Sequence, residues 1–251
     1  MARTHLDRKN VKLGSLIYRL RQDIDVLRVI GLNVNGAKRI GGHIISLKFL
    51  WFVRLLTLES IPLTICKIFD RENLSKGWKR NSIYGVMARL KKHRYTLIQA
   101  KNVERFGRKF GNINPFSDPT AFLNQTIEFF TAAHKDAFVC MRRFRNEHAA
   151  HSEFGAKQKN LPSIDEFEAI FDFSAEFYKL ISAGILDIGP ASFPPDAGMG
   201  LWRMLRNLGL TGAKFDFLPK KSARPTKAAH SLNVEPRPQR TSSEHNPRSD
   251  L

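Results

Sequence analysis

Apolar residues recur along most of this chain with the period of an α-helix. The clearest case is residues 11–30, where leucine and isoleucine return every three or four positions with arginines between them. The same pattern predicts helices over residues 43–69, 81–92, 95–110, 117–155 and 163–182, and a short one over 201–207. We therefore predict an all-α fold, an up-and-down bundle of about five or six helices.

Changes in composition divide the chain into four segments. Residues 1–42 hold the first helix and a glycine-rich loop. Residues 43–182 hold the helical bundle, in which Pro62 is expected to kink or break its helix. Residues 183–218 are rich in glycine and proline, so we expect an irregular segment with one short helix. Residues 219–251 are rich in proline, serine and basic residues, which predicts a disordered basic C-terminal tail.

The most apolar run, residues 44–69, resembles a membrane span in composition. Charged residues interrupt it at Lys48, Arg54, Glu59 and Lys67, at intervals too short for a span of about 20 apolar residues. We interpret it as a buried helix of the bundle and expect no membrane partner. The N-terminal residues are polar and lack the features of a secretory signal, so we expect a cytoplasmic protein.

The chain carries a formal net charge of +18. Such an excess favours an anionic partner, which can be a nucleic acid, an acidic protein or a membrane surface. The tail accounts for little of it, with seven basic and three acidic residues over positions 220–251. Basic side chains also cluster over residues 89–109, where they are either phosphate contacts or a solvated helix surface.

The two cysteines, Cys66 and Cys140, both lie in apolar helical patterns. We expect buried, reduced thiols, which suit a reducing cytosol. The run from Glu147 to His151 has a superficial likeness to a zinc-protease helix. Its histidines are three apart and its glutamate precedes both, so it lacks the order that zinc hydrolysis requires. We predict no metal and no other cofactor.

The stretch with the most informative chemistry, residues 138–155, reads FVCMRRFRNEHAAHSEFG. In it Arg145 is followed at once by Asn146 and, six positions on from the arginine, by His151. An arginine grips phosphate through two hydrogen bonds, and a histidine exchanges protons near neutral pH. On an ideal helix these two residues point about 120° apart. Two copies of the helix related by a two-fold axis could pool them into one site.

Other pairs in the same stretch have a similar spacing. Arg142 and Arg143 precede His148 by six and five positions, but neither arginine is followed by Asn or Asp. We therefore prefer Arg145 with His151 and keep Arg142, Arg143 and His148 as secondary candidates. The simpler alternative is a basic surface helix whose histidines face the core or solvent.

The segment RNEHAAHSE resembles the Arg-x4–6-His motif of the HEPN superfamily, and its Ala-His-Ser ending is similar to the abortive-infection, AbiU-like branch. Two further stretches fit that branch, Ile65–Asp70 and Asn160–Phe167. The region of resemblance is Leu47 to Ser182. It implies an all-α, HEPN-like bundle and a homodimer that cleaves RNA without a metal. It further implies that Arg145 positions phosphate, His151 is the acid and base, and Asn146 shapes the motif.

We therefore predict a metal-independent endoribonuclease that acts as a toxin in antiviral defence or in a toxin–antitoxin system. RNA is the expected partner, and an antitoxin protein is a further one. The first alternative is a non-catalytic HEPN module that binds RNA or a protein. The second is an unrelated basic helical protein that binds nucleic acid as a monomer with salt-sensitive affinity.

Overall fold

The computed structural model describes residues 2–34, 47–71, 81–93, 100–150, 161–184, 186 and 192–207. Regular structure in these ranges is α-helical, which confirms the all-α prediction. The glycine-rich loop and the basic tail expected from the sequence lie outside the described residues. Eight helices are described: α1 (Ala2–Val34), α2 (Leu47–Ile68), α3 (Ile83–His93), α4 (Ala100–Lys109), α5 (Pro119–Ala133), α6 (Lys135–Ala150), α7 (Ile164–Gly184) and α8 (Asp196–Asn207).

Helix α1 is the central element of the packing and touches α2, α3, α7 and α8. Its predicted apolar face is fully buried at Leu13, Ile17 and Leu20, as the three-to-four spacing requires. The helix extends beyond the predicted 11–30 at both ends. Near its start, Nδ2 of Asn10 donates a hydrogen bond of 2.8 Å to Oγ of Ser182 at the end of α7. The N-terminal helix is therefore part of the same core as the bundle.

Helix α2 continues through Pro62 as one element, so of the expected kink or break the break does not occur. Its C-terminal half is buried in the core, but its N-terminal half exposes large apolar side chains: Phe49, Trp51, Phe52 and Leu56. The expectation of a buried helix holds there for one side only: Leu50 packs against α1 and α8, while these four side chains are exposed. Among the described helices, only Phe49–Ile68 is long and apolar enough to cross a membrane, a test that core helices also pass.

Within the segment predicted as one helix over residues 117–155, the described residues form two helices, α5 and α6, with a turn at His134. The main-chain N–H of His134 still bonds to the carbonyl of Phe130 at 3.1 Å, but its backbone leaves helical geometry at ψ 26°. The predicted start is confirmed, since Asp118 caps α5 by accepting from the N–H of Thr120 at 2.8 Å.

Phenylalanine side chains join the helices of the bundle around Phe173 of α7. Its ring stacks on Phe130 with centroids 4.0 Å apart and meets Phe110 at 4.7 Å. At the end of α2, the ring of Phe69 lies 4.8 Å from that of Phe138 on α6. Contacts of this kind contribute about 0.5–1.5 kcal/mol each beyond their buried area. The contact between Phe69 and Phe138 holds α6 against the end of α2.

The predicted start of the helix over residues 163–182 is also confirmed. Ser163 and Glu166 exchange the two hydrogen bonds of a capping box at the start of α7, at 2.8 and 3.2 Å. Helix α8 begins five residues before the predicted short helix over 201–207. Its first turn docks on α1, where the hydroxyl of Tyr18 donates to Asp196 at 3.0 Å.

Candidate functional site

Arg145 contacts the end of α2 because of its register on α6. Phe138, Met141 and Arg145 are spaced by three and four residues, so they share one helix face. The first two are buried against the core. Asp70 directly follows Phe69, the ring on which Phe138 packs. Nη1 of Arg145 donates to Oδ1 of Asp70 at 2.9 Å.

The ion pair between Arg145 and Asp70 is only partly shielded from solvent. The arginine side chain is 34% exposed and that of Asp70 is 20% exposed. Nε and Nη2 of Arg145 also approach Oδ1 of Asn146, both at 3.4 Å. These contacts use three of the five N–H donors of a guanidinium, which leaves two that can face an anionic ligand.

Asp70 is itself held in place by the start of α3. Its main-chain carbonyl accepts a hydrogen bond of 2.6 Å from Oγ of Ser82. The same hydroxyl caps α3 by accepting from the N–H of Gly85 at 3.1 Å. The neighbouring Arg71 forms an ion pair of 2.7 Å with Glu128 of α5. The end of α2 is thereby connected to α3, α5 and α6, and the carboxylate that meets Arg145 has a defined position.

The two secondary arginines of the motif are not part of the cluster at Asp70. Arg142 and Arg143 are exposed, and Nε of Arg143 pairs with Glu147 at 2.6 Å, one turn along the helix. That pair is an exposed i,i+4 contact of small energetic weight. His151 lies outside the described residues, as does the side chain of His148. Of the predicted site, the structure brings together Arg145 and Asn146 and adds Asp70.

A surface cleft of about 360 Å³ opens beside this cluster. It is lined by Lys12, Leu16, Lys67, Asp70 and Asn81, so α1, α2 and the start of α3 all contribute. Lys67 and Asp70 belong to the stretch Ile65–Asp70, which was noted above together with the Arg145–His151 motif. Lys12 was missed, because nothing in its local sequence distinguishes it from the other surface lysines of a basic chain.

Neither cysteine is activated as a nucleophile. Burial raises the pKa of the Cys66 thiol to about 11, and the positive charge of Arg145 offsets only part of this effect. Burial likewise raises the pKa of Cys140. Cys66 is buried as predicted, whereas Cys140 is half-buried. Within the described residues, no group of three or more His, Cys, Asp or Glu could hold a metal ion.

A second basic groove lies between α4 and α7, with a volume of about 480 Å³. In it Lys109 and Lys179 both pair with the carboxylate of Glu176, at 3.3 and 3.1 Å. Burial works against ionisation of Glu176, but the two lysines outweigh it and lower the pKa of this carboxyl group. The positive charge of this groove is therefore partly neutralised by the protein itself.

The described part of the chain thus forms an all-α protein with an arginine–carboxylate cluster beside a basic cleft. In comparisons with protein-family models, with curated proteins and with solved structures, none matches this chain.

Proposed function

We propose that this protein is a metal-independent endoribonuclease of the HEPN type, with a HEPN-like arrangement of its helical bundle. In this proposal Arg145 holds the phosphate, His151 transfers the proton and Asn146 supports the arginine. Two subunits, each with its own Arg145 and His151, together form the active site. A site shared by two subunits can bring the two residues together, although on one helix they point about 120° apart.

The observation that supports the proposal is the contact between Arg145 and Asp70. The two residues are 75 positions apart, and each belongs to one of the stretches that resemble the family. A charge-assisted bond of 2.9 Å to a residue that is anchored by Ser82 keeps the guanidinium in one orientation. A preoriented cation of this kind is what stabilises charge that develops on a phosphate during reaction.

The proposed reaction needs one base, one acid and a cation. The base takes the proton of the ribose 2′-hydroxyl, and the resulting oxygen attacks the adjacent phosphorus. The bond from phosphorus to the 5′-oxygen breaks, and the acid returns a proton to that oxygen. The histidines of the two subunits act as base and acid, while Arg145 neutralises the charge on the non-bridging oxygens. The products are a 2′,3′-cyclic phosphate and a free 5′-hydroxyl.

The same contact also favours a second candidate, a non-catalytic module that binds RNA. A partly buried ion pair between α2 and α6 can serve the fold alone, and the nearby Asp70 charge weakens the attraction of Arg145 for phosphate. This alternative predicts RNA binding without cleavage. It also predicts that RNA affinity does not change when His151 is replaced by alanine.

The test is cleavage of a labelled RNA pool by the purified protein in excess EDTA. We expect the wild type to leave 2′,3′-cyclic phosphate ends, and Arg145→Ala and His151→Ala to be inactive but folded. Lys135→Ala is the matched control, because it removes the same charge from an exposed position of the same helix. Full activity in both Arg145→Ala and His151→Ala would refute the site, and RNA binding without cleavage would favour the non-catalytic module.

A further inference from the structure

The cleft beside Arg145 carries positive charge that the described protein does not neutralise. Lys12 and Lys67 are both exposed, and neither pairs with a carboxylate in the described part of the chain. Among the described residues that line the cleft, Asp70 is the acidic one, and its carboxylate is paired with Arg145. Two lysines therefore line a small cleft, and no carboxylate in the described part of the chain pairs with either of them.

The groove between α4 and α7 provides the contrast. There, two lysines share the carboxylate of Glu176 and are held by it. A ligand that bound those lysines would have to compete with an existing ion pair. In the cleft of Lys12 and Lys67, an anionic ligand would be attracted by both lysines without displacing an existing ion pair.

We propose that this cleft binds a single-stranded RNA segment that continues from the phosphate held by Arg145, with Lys12 and Lys67 as its phosphate-binding residues. The proposal rests on the proposed function and names the substrate class of that site. Asp70 lies in both the ion pair and the cleft wall, so the two regions are continuous. The strand would thus run from α6 across the end of α2 to α1.

The size and lining of the cleft favour a single strand over a duplex. Ligand clefts usually occupy about 300–1,000 Å³, and a volume of about 360 Å³ is near the lower limit. Leu16 offers an apolar wall for a sugar or base, and the Asn81 side chain offers a hydrogen-bonding amide. An unstacked nucleotide can use such groups, whereas the bases of an RNA duplex are turned inward and leave only phosphate and ribose outside.

The experiment measures binding separately from cleavage. Fluorescein-labelled single-stranded RNA of mixed sequence is titrated with full-length His151→Ala protein, in which cleavage is blocked, over a series of salt concentrations. The test variant adds Lys12→Gln and Lys67→Gln, which keep a flexible polar side chain and remove the charge. We expect an affinity loss of about tenfold and a salt dependence that is shallower by about 1.4 logarithmic units per decade. An unlabelled RNA duplex should compete more weakly than the single strand.

The matched control replaces Arg54 and Lys135 by glutamine in the same background. Both residues are exposed, and the two substitutions remove the same total charge as those of the test variant. Arg54 lies about 20 Å along α2 from Lys67, and Lys135 lies about 15 Å along α6 from Arg145. We expect the control to bind RNA as tightly as its parent. Circular dichroism melting of each variant verifies that the fold is intact.

The outcomes separate this proposal from the proposed function. Equal losses in test and control variants would mean a diffuse charge effect and would overturn the cleft. A wild type that cleaves RNA, combined with undiminished binding by the test variant, would overturn the cleft alone. A wild type that neither binds nor cleaves would overturn both. Binding without cleavage that still depends on Lys12 and Lys67 would uphold the cleft and reject the endoribonuclease.

Discussion

Replacing Asp70 by alanine tests whether the fold prepares Arg145 for its ligand. The substitution removes the carboxylate that receives Nη1 of Arg145 at 2.9 Å. The backbone carbonyl that Ser82 contacts stays in place, so the start of α3 keeps its cap. Arg145 remains on α6 and loses its orientation, while the other contacts at the end of α2 persist.

The size of the effect follows from the exposure of the pair. Exposed ion pairs are worth about 0–1 kcal/mol, whereas breaking a buried one costs about 3–5 kcal/mol. With side chains 34% and 20% exposed, this pair lies between the two cases. We expect Asp70→Ala to lower the free energy of unfolding by about 1–2 kcal/mol. A misplaced guanidinium should reduce kcat/KM for RNA cleavage by about 10- to 100-fold.

The assay is a double-mutant cycle of Asp70→Ala and Arg145→Ala, in which urea unfolding measures the stability of each variant. Initial rates of RNA cleavage measure the activity of Asp70→Ala against the wild type. We expect the stability effects to be non-additive, with a coupling energy of about 1 kcal/mol. Glu147→Ala is the control, because it breaks the more exposed pair with Arg143 on the same helix and should cost less than about 0.5 kcal/mol. Additive stability effects, or an Asp70→Ala enzyme with wild-type cleavage rates, would refute the reasoning.

Two further predictions concern the fold. A Cβ on Gly107 would lie 2.4 Å from the buried ring of Phe122, so Gly107→Ala should destabilise the protein by about 1–3 kcal/mol. The control is Gly31→Ala in α1, where the added Cβ has no atom within 4 Å. This substitution should stabilise the protein by about 0.5–1 kcal/mol. Equal urea midpoints for the two variants would contradict both predictions. Burial raises the pKa of Asp25 to about 6 from an ordinary 3.8, because it outweighs two nearby arginines. The folded state therefore holds this proton more tightly than the unfolded state, and stability should fall by up to about 3 kcal/mol as the pH rises from about 4 to 6. Asp25→Asn should remove this pH dependence from the unfolding free energy, and an unchanged slope in the variant would disprove the assignment.

The sequence predicted helix starts best where a side chain caps the helix by a hydrogen bond to a backbone N–H two or three residues away. Asp118 before Pro119 and the pairing of Ser163 with Glu166 each involve residues within one turn, so their spacing alone is sufficient. The division into α5 and α6 was not predictable in this way. Apolar residues keep their helical spacing on both sides of His134. Phe130 of α5 and Phe138 of α6 both lie against the ring of Phe69, a tertiary contact that local spacing does not report.

The candidate site was predictable only residue by residue. Arg145 and Asn146 stand out by their order in the sequence, and Asp70 by the stretch that contains it. The contact between Arg145 and Asp70 depends on Phe138 packing against Phe69, which is a tertiary event that no spacing reports. Lys12 had no signal at all, because its place at the cleft depends on how α1 lies against α2.

The Arg145–Asp70 pair imposes a charge requirement on any site built around it. A carboxylate at 2.9 Å orients the guanidinium and at the same time cancels much of its attraction for a phosphate. Preorganisation of this cation therefore comes with a loss of binding strength, which other cations have to replace. In the proposed cleft, Lys12 and Lys67 would supply these cations, since both line it together with Asp70. Orientation would then come from Asp70 and affinity from the lysines, so substitutions of Asp70 should act mainly on kcat and those of the lysines mainly on KM.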